Sequence, residues 1–263
     1  MDISLNLLEQ VGEITKQAGR EIMKVYETDF AVEQKADSSP VTQADKTAEE
    51  FILRSIREGI TDNFPIVSEE AFAGGHAPAV AGQPFWLVDP LDGTKEFVSR
   101  NGEFTVNIAI IDAGRPVLGV IHAPVEGRTF WGSKIGVFCQ TGSEPETMIQ
   151  CRQAPQNGLV ALSSRSHRAP EVDAFLADYK IASETKAGSS LKFCLIAEGS
   201  ADIYPRLSRT MEWDTAAGHA IVLFAGGTVT DLDGNELNYG KPGFENPHFV
   251  VRGPGVALAT PDA

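Results

Sequence analysis

Cysteine is scarce in this 263-residue sequence, and cationic side chains are outnumbered by acidic ones. The three cysteines, Cys139, Cys151 and Cys194, are far apart and form no CxxC pair, which is typical of a protein in a reducing compartment. Lys and Arg number 22 against 36 Asp and Glu, so the formal net charge is −14. Because binding to a polyanion needs cationic groups that displace counterions, nonspecific nucleic-acid binding is disfavoured.

Long apolar runs are also missing, since no stretch approaches the roughly 20 residues needed to span a bilayer. The first residues lack a basic segment followed by an apolar one, so we expect neither a secretion signal nor an integral membrane segment. A hydrophobic fraction of 42% in a chain of this length is sufficient for one large core or two small ones. These features predict a soluble, cytoplasmic, globular protein.

The spacing of apolar residues divides the chain into two parts. Spacings of three and four predict helices over residues 3–26, 45–60, 169–179, 190–198 and 214–225. Short apolar runs predict strands at 65–68, 85–89 and 159–163, and alternation over 104–140 predicts a β meander. Residues 1–150 therefore have an α+β pattern and residues 151–263 an α/β pattern, within one compact unit whose internal boundary is approximate.

The segment DPLDGT at 89–94 follows a predicted buried strand and carries two carboxylates. Asp89 and Asp92 cannot both be buried without compensation, because like charges at short range repel and drive one group to protonate. A divalent cation resolves this conflict, and oxygen ligands suit Mg²⁺. An ordinary Asp-Gly turn is the alternative interpretation of this segment taken alone.

Two further acidic positions strengthen the metal-site hypothesis. Glu69 follows the strand predicted at 65–68, and Asp214 opens an apolar helix in the segment WDTAAGH at 213–219. Taken alone, Asp214 also fits the N-cap of that helix. The joint presence of the three acidic segments favours a shared site with oxygen ligands.

Two segments, WLVDPLDGT at 86–94 and WDTAAG at 213–218, resemble the signatures of the inositol monophosphatase superfamily of lithium-sensitive, Mg²⁺-dependent phosphatases. Four others make the chain most similar to its bacterial 3′(2′),5′-bisphosphate nucleotidases of CysQ type: KADSSPVT at 35–42, SRSH at 164–167, GSSLKF at 188–193 and YPR at 204–206. The resemblance covers essentially the whole chain. It implies an α/β (α+β) layered sandwich of the sugar-phosphatase type, with the active site where the two halves meet.

The same resemblance implies a site for two or three Mg²⁺ ions. Glu69, Asp89 and the backbone carbonyl of Leu91 would hold one ion, and a third, looser ion would lie near Glu69. Asp89, Asp92 and Asp214 would hold the second ion.

The resemblance also implies a catalytic set of Asp45, Glu69 and Thr94, in which Thr94 activates water and Asp45 holds its hydroxyl. Some bisphosphate nucleotidases carry a longer insertion at 71–84, where this chain has a brief tract rich in Ala and Gly, so the resemblance does not imply a lid there.

Cations should select the substrate in this acidic chain, because a bisphosphate nucleotide carries a second phosphate away from the metals. Exposed N–H groups at the start of the helix predicted at 190–198 would also favour an anion. A surface ion pair is the alternative role for Lys192. The substrate-binding residues implied in all are Glu69, Leu91, Asp92, Gly93, Thr94, Ser164, Arg165, His167, Gly188, Ser189, Lys192, Arg206 and Asp214.

The predicted reaction is hydrolysis of the 3′-phosphate of adenosine 3′,5′-bisphosphate (PAP) to AMP and phosphate. By resemblance, the sulfated precursor (PAPS) would give APS, which places the enzyme in sulfur metabolism. Two metal ions can neutralise such a phosphate and stabilise the leaving alkoxide. The chain has no Walker loop, G-x-S-x-G elbow or H-E-x-x-H motif, so transfer from ATP, serine hydrolysis and zinc proteolysis are not supported.

Two other functions stay open at this point. An inositol or fructose phosphate phosphatase would share the metal core, and a non-catalytic phosphonucleotide sensor would keep the pocket without turnover. The expected partner is a small-molecule bisphosphate nucleotide. A monomer is favoured over an oligomer, and peripheral attachment to the cytoplasmic side of the inner membrane is the alternative to a fully cytoplasmic location.

Overall fold

The computed structural model describes residues 3–28, 32–34, 40–166 and 169–259, with only the backbone described at 32–34 and 40–42. Within them the helices are α1 Leu5–Tyr26, α2 Gln43–Gly59, α3 Glu69–Ala73, α4 Thr94–Val98, α5 Glu171–Ala177, α6 Leu191–Ala197 and α7 Glu212–Phe224. The strands of the first half are β1 Val32–Gln34, β2 Pro40–Thr42, β3 Ile66–Ser68, β4 Phe85–Asp92, β5 Thr105–Asp112, β6 Arg115–Ala123, β7 Arg128–Ser133, β8 Gly136–Thr141 and β9 Thr147–Met148. Those of the second half are β10 Leu159–Ser164, β11 Ile181–Ala187, β12 Ile203–Arg206, β13 Thr228–Asp231 and β14 Phe249–Arg252.

Two large sheets organise these elements. The first has seven strands in the order β3-β4-β5-β6-β7-β8-β9, which is antiparallel except for the pair β3–β4. The second has five strands in the order β11-β10-β12-β14-β13, in which β10 is parallel to both of its neighbours. Strands β1 and β2 form a separate antiparallel pair.

Alternating apolar residues of each sheet build separate cores on its two faces. In β4, Trp86 and Val88 pack with helices α1 and α2, whereas Leu87 joins the core shared with α6 and α7. In β10, Leu162 belongs to that shared core, and Ala161 packs with α5. The layers therefore run α1–α2, seven-stranded sheet, α6–α7, five-stranded sheet, α5, and the predicted layered α/β sandwich is confirmed.

Helix α7 lies unusually close to the first sheet because two glycines face it. Gly119 and Gly132 are register partners on β6 and β7. A Cβ at Gly119 would stand 2.3 Å from the carbonyl oxygen of Ala217, and one at Gly132 would stand 2.8 Å from the Cα of Ile221. A side chain at either position would push away the helix that carries Asp214.

The predicted elements occur in the predicted order, with ends that differ by a few residues. Helix α7 begins at Glu212 rather than Asp214, and strand β4 continues to Asp92 rather than ending at Asp89. The short helices α3 and α4 were not predicted, because five-residue helices leave no periodic signal. Helix α7 contacts strands of both sheets, and the boundary near residue 150 stays a prediction. Within the described residues, no helix is long and apolar enough to cross a membrane.

Candidate active site

A β-bulge in β4 brings Asp89 and Asp92 to the same face of the first sheet. Asp89 is paired with Asn107 and Asp92 with Thr105, so three steps along β4 oppose two steps along β5. In a regular strand, residues three apart point to opposite faces, and the extra residue of the bulge removes that difference. Pro90 lies inside the bulge, where a missing N–H is tolerated.

The carboxylates near this bulge repel one another. Burial raises the pKa of Asp89 well above its usual range, and the negative charges of Glu69, Asp92, Asp214 and Asp45 raise it further. The side chain of Asp89 is almost fully buried. For Asp214, burial and then the charges of Asp92 and Glu69 raise the pKa in the same way. These carboxylates therefore carry an excess of negative charge, which a bound cation would neutralise.

Asp214 has a structural role as well as a place in this cluster. It is the third residue of α7, and its Oδ2 accepts a hydrogen bond of 2.8 Å from the backbone N–H of Met211. The N-cap position itself belongs to Met211, so the interpretation of Asp214 as the N-cap is wrong. The capping bond fixes the carboxylate at the end of α7 that faces the bulge.

The turn after the bulge is fixed by Gly93, whose φ of 93° lies in the left-handed region that favours glycine. Thr94 follows as the first residue of α4, and its hydroxyl donates a long hydrogen bond of 3.4 Å to the carbonyl of Leu91. The backbone N–H of Leu91 donates to Oδ1 of Asp89 at 3.1 Å. The segment is therefore held by its own hydrogen bonds.

One cavity gathers most of the predicted site residues from both halves of the chain. Its lining includes Lys95, Glu96, Tyr204, Arg209 and Trp213, which were not predicted as site residues. Asp45, Arg165 and Gly188 lie outside the lining, and His167 falls outside the described residues. The predicted residues that line the cavity are Glu69, Asp89, Leu91, Asp92, Gly93, Thr94, Ser164, Ser189, Lys192, Arg206 and Asp214.

Comparison with known proteins decides the family. Residues 6–258 match the sequence model of the inositol monophosphatase family. The chain belongs to this family. It is 45% identical over 256 residues to the 3′(2′),5′-bisphosphate nucleotidase CysQ of Escherichia coli strain K12, a match that covers 93% of this chain and 99% of that protein. The same enzyme of Salmonella typhimurium strain LT2 is 46% identical over 260 residues, with the same two coverages.

A solved structure shows the same fold. The crystal structure of CysQ from Bacteroides thetaiotaomicron, a bacterial member of the inositol monophosphatase family, superposes with a TM-score of 0.77 at 36% identity. The match covers 94% of this chain and 97% of that one. The layered sandwich described above is therefore the fold of this family.

The donor set of this inositol monophosphatase family member fits a divalent cation. Carboxylate oxygens are the hard ligands that Mg²⁺ and Ca²⁺ prefer, and those of Asp92 and Asp214 are close enough to Asp89 to raise its pKa. Among the described residues, no three His, Cys, Asp or Glu side chains already form a compact cage around one point. An ion bound here would take its ligands from the carboxylates of Glu69, Asp89, Asp92 and Asp214, which line one cavity.

Lys192 is the buried cation of the site. Its side chain is 2% exposed, so the surface ion-pair interpretation does not apply. The Nζ donates to the carbonyl of Ala187 at 3.1 Å and to the carbonyl of Ser189, and it lies 5.2 Å from the ring centroid of Tyr204. Burial lowers the pKa of Lys192 to about 8, against the negative charge of Asp92, which raises it. Lys192 therefore links the 187–189 turn to the carboxylate cluster.

A chain of polar contacts that sequence reasoning missed joins the two halves beneath the cavity. The hydroxyls of Thr105 and Ser190 are 2.7 Å apart, and the Ser190 hydroxyl also donates to Oδ1 of Asn107 at 2.8 Å. The Nδ2 of Asn107 is 3.5 Å from Oδ2 of Asp92. Polar residues at 105 and 107 in an otherwise apolar strand were the available signal, because a buried polar group needs a partner.

Ser189 has a strained backbone at the cavity wall. Its φ of 42° is left-handed, a conformation that costs a residue with a side chain about 1 kcal/mol or more. Its buried hydroxyl oxygen has no hydrogen-bond partner among the described residues. A strained loop with an unused hydroxyl is typical of a ligand-contacting position.

Proposed function

We propose that this chain is a Mg²⁺-dependent phosphatase that hydrolyses the 3′-phosphate of adenosine 3′,5′-bisphosphate to AMP and phosphate. The observation that carries the proposal is one cavity that holds both a carboxylate cluster and the cations Lys192 and Arg206. The carboxylates suit a metal-bound scissile phosphate, and the cations suit a second phosphate. The name of the E. coli relative, a 3′(2′),5′-bisphosphate nucleotidase at 45% identity, supports the same substrate class.

Two or three Mg²⁺ ions are proposed, held by Glu69, Asp89, Asp92, Asp214 and the carbonyl of Leu91. Bound Mg²⁺ would neutralise the phosphate and lower the pKa of a water molecule.

The protein's own groups perform the remaining tasks. Thr94 would orient the attacking water through its hydroxyl, because it lines the cavity two residues after Asp92 and α4 fixes its backbone. Asp45 is buried, and its charge raises the pKa of Asp89, which supports its proposed role next to the metal ligands. Glu69 is the first residue of α3 and lines the same cavity, which supports its proposed part in catalysis.

Substrate contacts are proposed for residues of both halves. Lys192 and Arg206 would attract the phosphate that is not hydrolysed, and the hydroxyls of Ser164 and Ser189 would donate to it or to the ribose. Gly188 and Arg165 would act indirectly, by holding the 187–189 turn. His167 is also a predicted substrate-binding residue, and it lies outside the described residues. The remaining proposed contacts are Glu69, Leu91, Asp92, Gly93, Thr94 and Asp214.

A panel of phosphate esters assayed with Mg²⁺ tests this function. Adenosine 3′,5′-bisphosphate should have the highest kcat/KM, ahead of adenosine 3′-monophosphate and inositol 1-phosphate. A preference for inositol 1-phosphate would move the chain to the alternative function, an inositol phosphate phosphatase with the same carboxylate cluster. Tight nucleotide binding without phosphate release would indicate a non-catalytic sensor.

The wider role follows from the same proposal. The sulfated nucleotide PAPS carries the same 3′-phosphate, so its conversion to APS and a place in sulfur metabolism are proposed. A cytoplasmic monomer is proposed as well, with peripheral attachment to the inner membrane as the alternative. Assay of PAPS and sedimentation of the purified chain would test these points.

A further inference from the structure

Arg209 is a cation at the cavity that the motif comparison did not single out. It lies in the loop between β12 and α7, three residues after Arg206 and five before Asp214. All three residues line the cavity. Arg209 is therefore a positive group at the cavity to which the proposed function has given no role.

The present partner of Arg209 is an exposed carboxylate. Its Nε donates to Oε2 of Glu245 at 3.0 Å, and the two side chains are 64% and 57% exposed. An ion pair this exposed contributes little, because water and salt screen both charges. Arg209 can therefore leave Glu245 for an anion of higher charge, such as a phosphate, with little loss of free energy.

The backbone beneath Arg209 is held much more firmly than its side chain. The N–H of Asn246 donates to the carbonyl of Thr210 at 3.0 Å, and Nδ2 of Asn246 donates to the carbonyl of Met211 at 2.7 Å. Asn246 and Thr210 are both buried. A fixed backbone with an exchangeable guanidinium is well suited to ligand binding, because little backbone entropy is lost.

Arg206, the last residue of β12 before this loop, has unused hydrogen-bonding capacity. Its Nε is buried and has no hydrogen-bond partner among the described residues. A guanidinium binds a phosphate through two parallel N–H···O bonds, and two guanidinium groups that line one cavity three residues apart can share a dianion. The pair therefore fits a phosphate group better than a neutral hydroxyl of a sugar.

We propose that Arg209 determines specificity: its guanidinium leaves Glu245 and, together with Arg206, binds the phosphate of a bisphosphate nucleotide that is not hydrolysed. This inference rests on the proposed function. Arg209 does not contact the scissile phosphate in this arrangement. It should therefore affect the binding of bisphosphates and leave the chemical step unchanged.

The test compares adenosine 3′,5′-bisphosphate with adenosine 3′-monophosphate, which lacks the second phosphate. Arg209→Ala should raise KM for the bisphosphate about tenfold, with kcat within about twofold, and should leave the monophosphate unchanged. Glu245→Gln should lower KM for the bisphosphate by about twofold to threefold, because Arg209 loses its competing partner. Binding of 5′-AMP, measured by calorimetry, should weaken in Arg209→Ala and strengthen in Glu245→Gln.

Arg20→Ala is the matched control, since Arg20 also pairs with an exposed carboxylate, Glu13, and lies on α1 outside the cavity lining. It should change neither substrate. Equal losses on both substrates in Arg209→Ala, no loss at all, or a raised KM in Glu245→Gln would overturn the inference while the nucleotidase function stands. A wild-type chain that hydrolyses neither nucleotide would overturn the proposed function, and the inference with it.

Discussion

Arg165 and Glu103 form a bidentate ion pair between the two halves of the chain, with Nε and the second guanidinium nitrogen each 2.6 Å from a carboxylate oxygen. The same carboxylate accepts the backbone N–H of Gly188 at 2.7 Å, and Arg165 also donates to the carbonyl of Lys186 at 3.0 Å. Hydrogen bonding from Arg165 and Gly188 lowers the pKa of Glu103 despite partial burial. The pair thus holds the turn that presents Ser189 to the cavity.

Removal of either partner should therefore loosen that turn for every substrate. Arg165→Ala and Glu103→Gln should each lower kcat/KM about threefold to tenfold on adenosine 3′,5′-bisphosphate and adenosine 3′-monophosphate alike. The double variant should lose little more than either single one, because both act through one contact. Steady-state kinetics of the wild type, the two single variants and the double variant gives this double-mutant cycle. A loss confined to Arg165→Ala and to the bisphosphate would instead mean that Arg165 binds phosphate directly.

The charge of Asp89 should be needed for the reaction but should destabilise the folded protein when no metal is bound. Asp89→Asn should lower kcat by more than tenfold, a loss of more than about 1.4 kcal/mol, because a bridging metal ligand is lost. Without metal, the variant should be at least as stable as the wild type in urea, since the substitution removes repulsion from Glu69, Asp92 and Asp214. Retention of more than a tenth of the activity would contradict the bridging role.

Thr94 should act on the chemical step and leave metal binding intact. Thr94→Ala should lower kcat by about 10²- to 10⁴-fold, the usual range for a residue that helps to deprotonate water. Thr94→Ser keeps the hydroxyl and should recover most of the activity. The alternative is that Thr94 only supports the turn at Gly93. Mg²⁺ titrations of both variants test it, because a structural role would appear as a lowered Mg²⁺ affinity.

His122 should make the fold sensitive to acid. Burial lowers its pKa from 6.5 to about 4, so between these values the unfolded chain binds more protons than the folded one. Its contribution is fully present above pH 6.5 and is lost as the pH falls toward 4. Between pH 7.5 and pH 5, the wild type should therefore lose about 2 kcal/mol more unfolding free energy than His122→Gln.

Urea unfolding at the two pH values measures this difference. The exposed His248 offers the control, and His248→Gln should follow the wild type. If His122→Gln also followed the wild type, protonation of His122 would not be the source of the acid sensitivity.

Much of this protein could be predicted from its sequence because the signals are local. Periodic apolar residues defined helices α1 and α2 to within two residues at each end, and alternation defined the meander of β5 to β8. The DPLDGT and WDTAAG segments identified the family, and the family model match over residues 6–258 confirmed it. Local pattern is enough for α1 and α2 because each of these helices buries one apolar face.

The roles of the basic residues could not be predicted from the sequence pattern alone. Lys192 and Arg165 are both basic residues in segments that resemble the family, yet Lys192 is buried in the cavity wall and Arg165 is paired with Glu103 outside the lining. Glu103, the partner of Arg165, lies 62 residues away along the chain, whereas Lys192 is hydrogen-bonded to the nearby carbonyls of Ala187 and Ser189. Spacing could not distinguish the two roles, because burial and a distant partner are set by the tertiary fold. Arg209 escaped notice for the same reason, because only folding places its loop at the cavity.

The sequence by itself determined which oxygens are available, since Asp89 and Asp92 flank a proline and precede a glycine. Their three-residue spacing on a regular strand would have put them on opposite faces. Only the tertiary structure decided otherwise: pairing of Asp89 with Asn107 and Asp92 with Thr105 inserts the bulge, and the two carboxylates face one cavity. The physical reason is that strand register depends on the partner strand, and a partner is chosen by the whole fold.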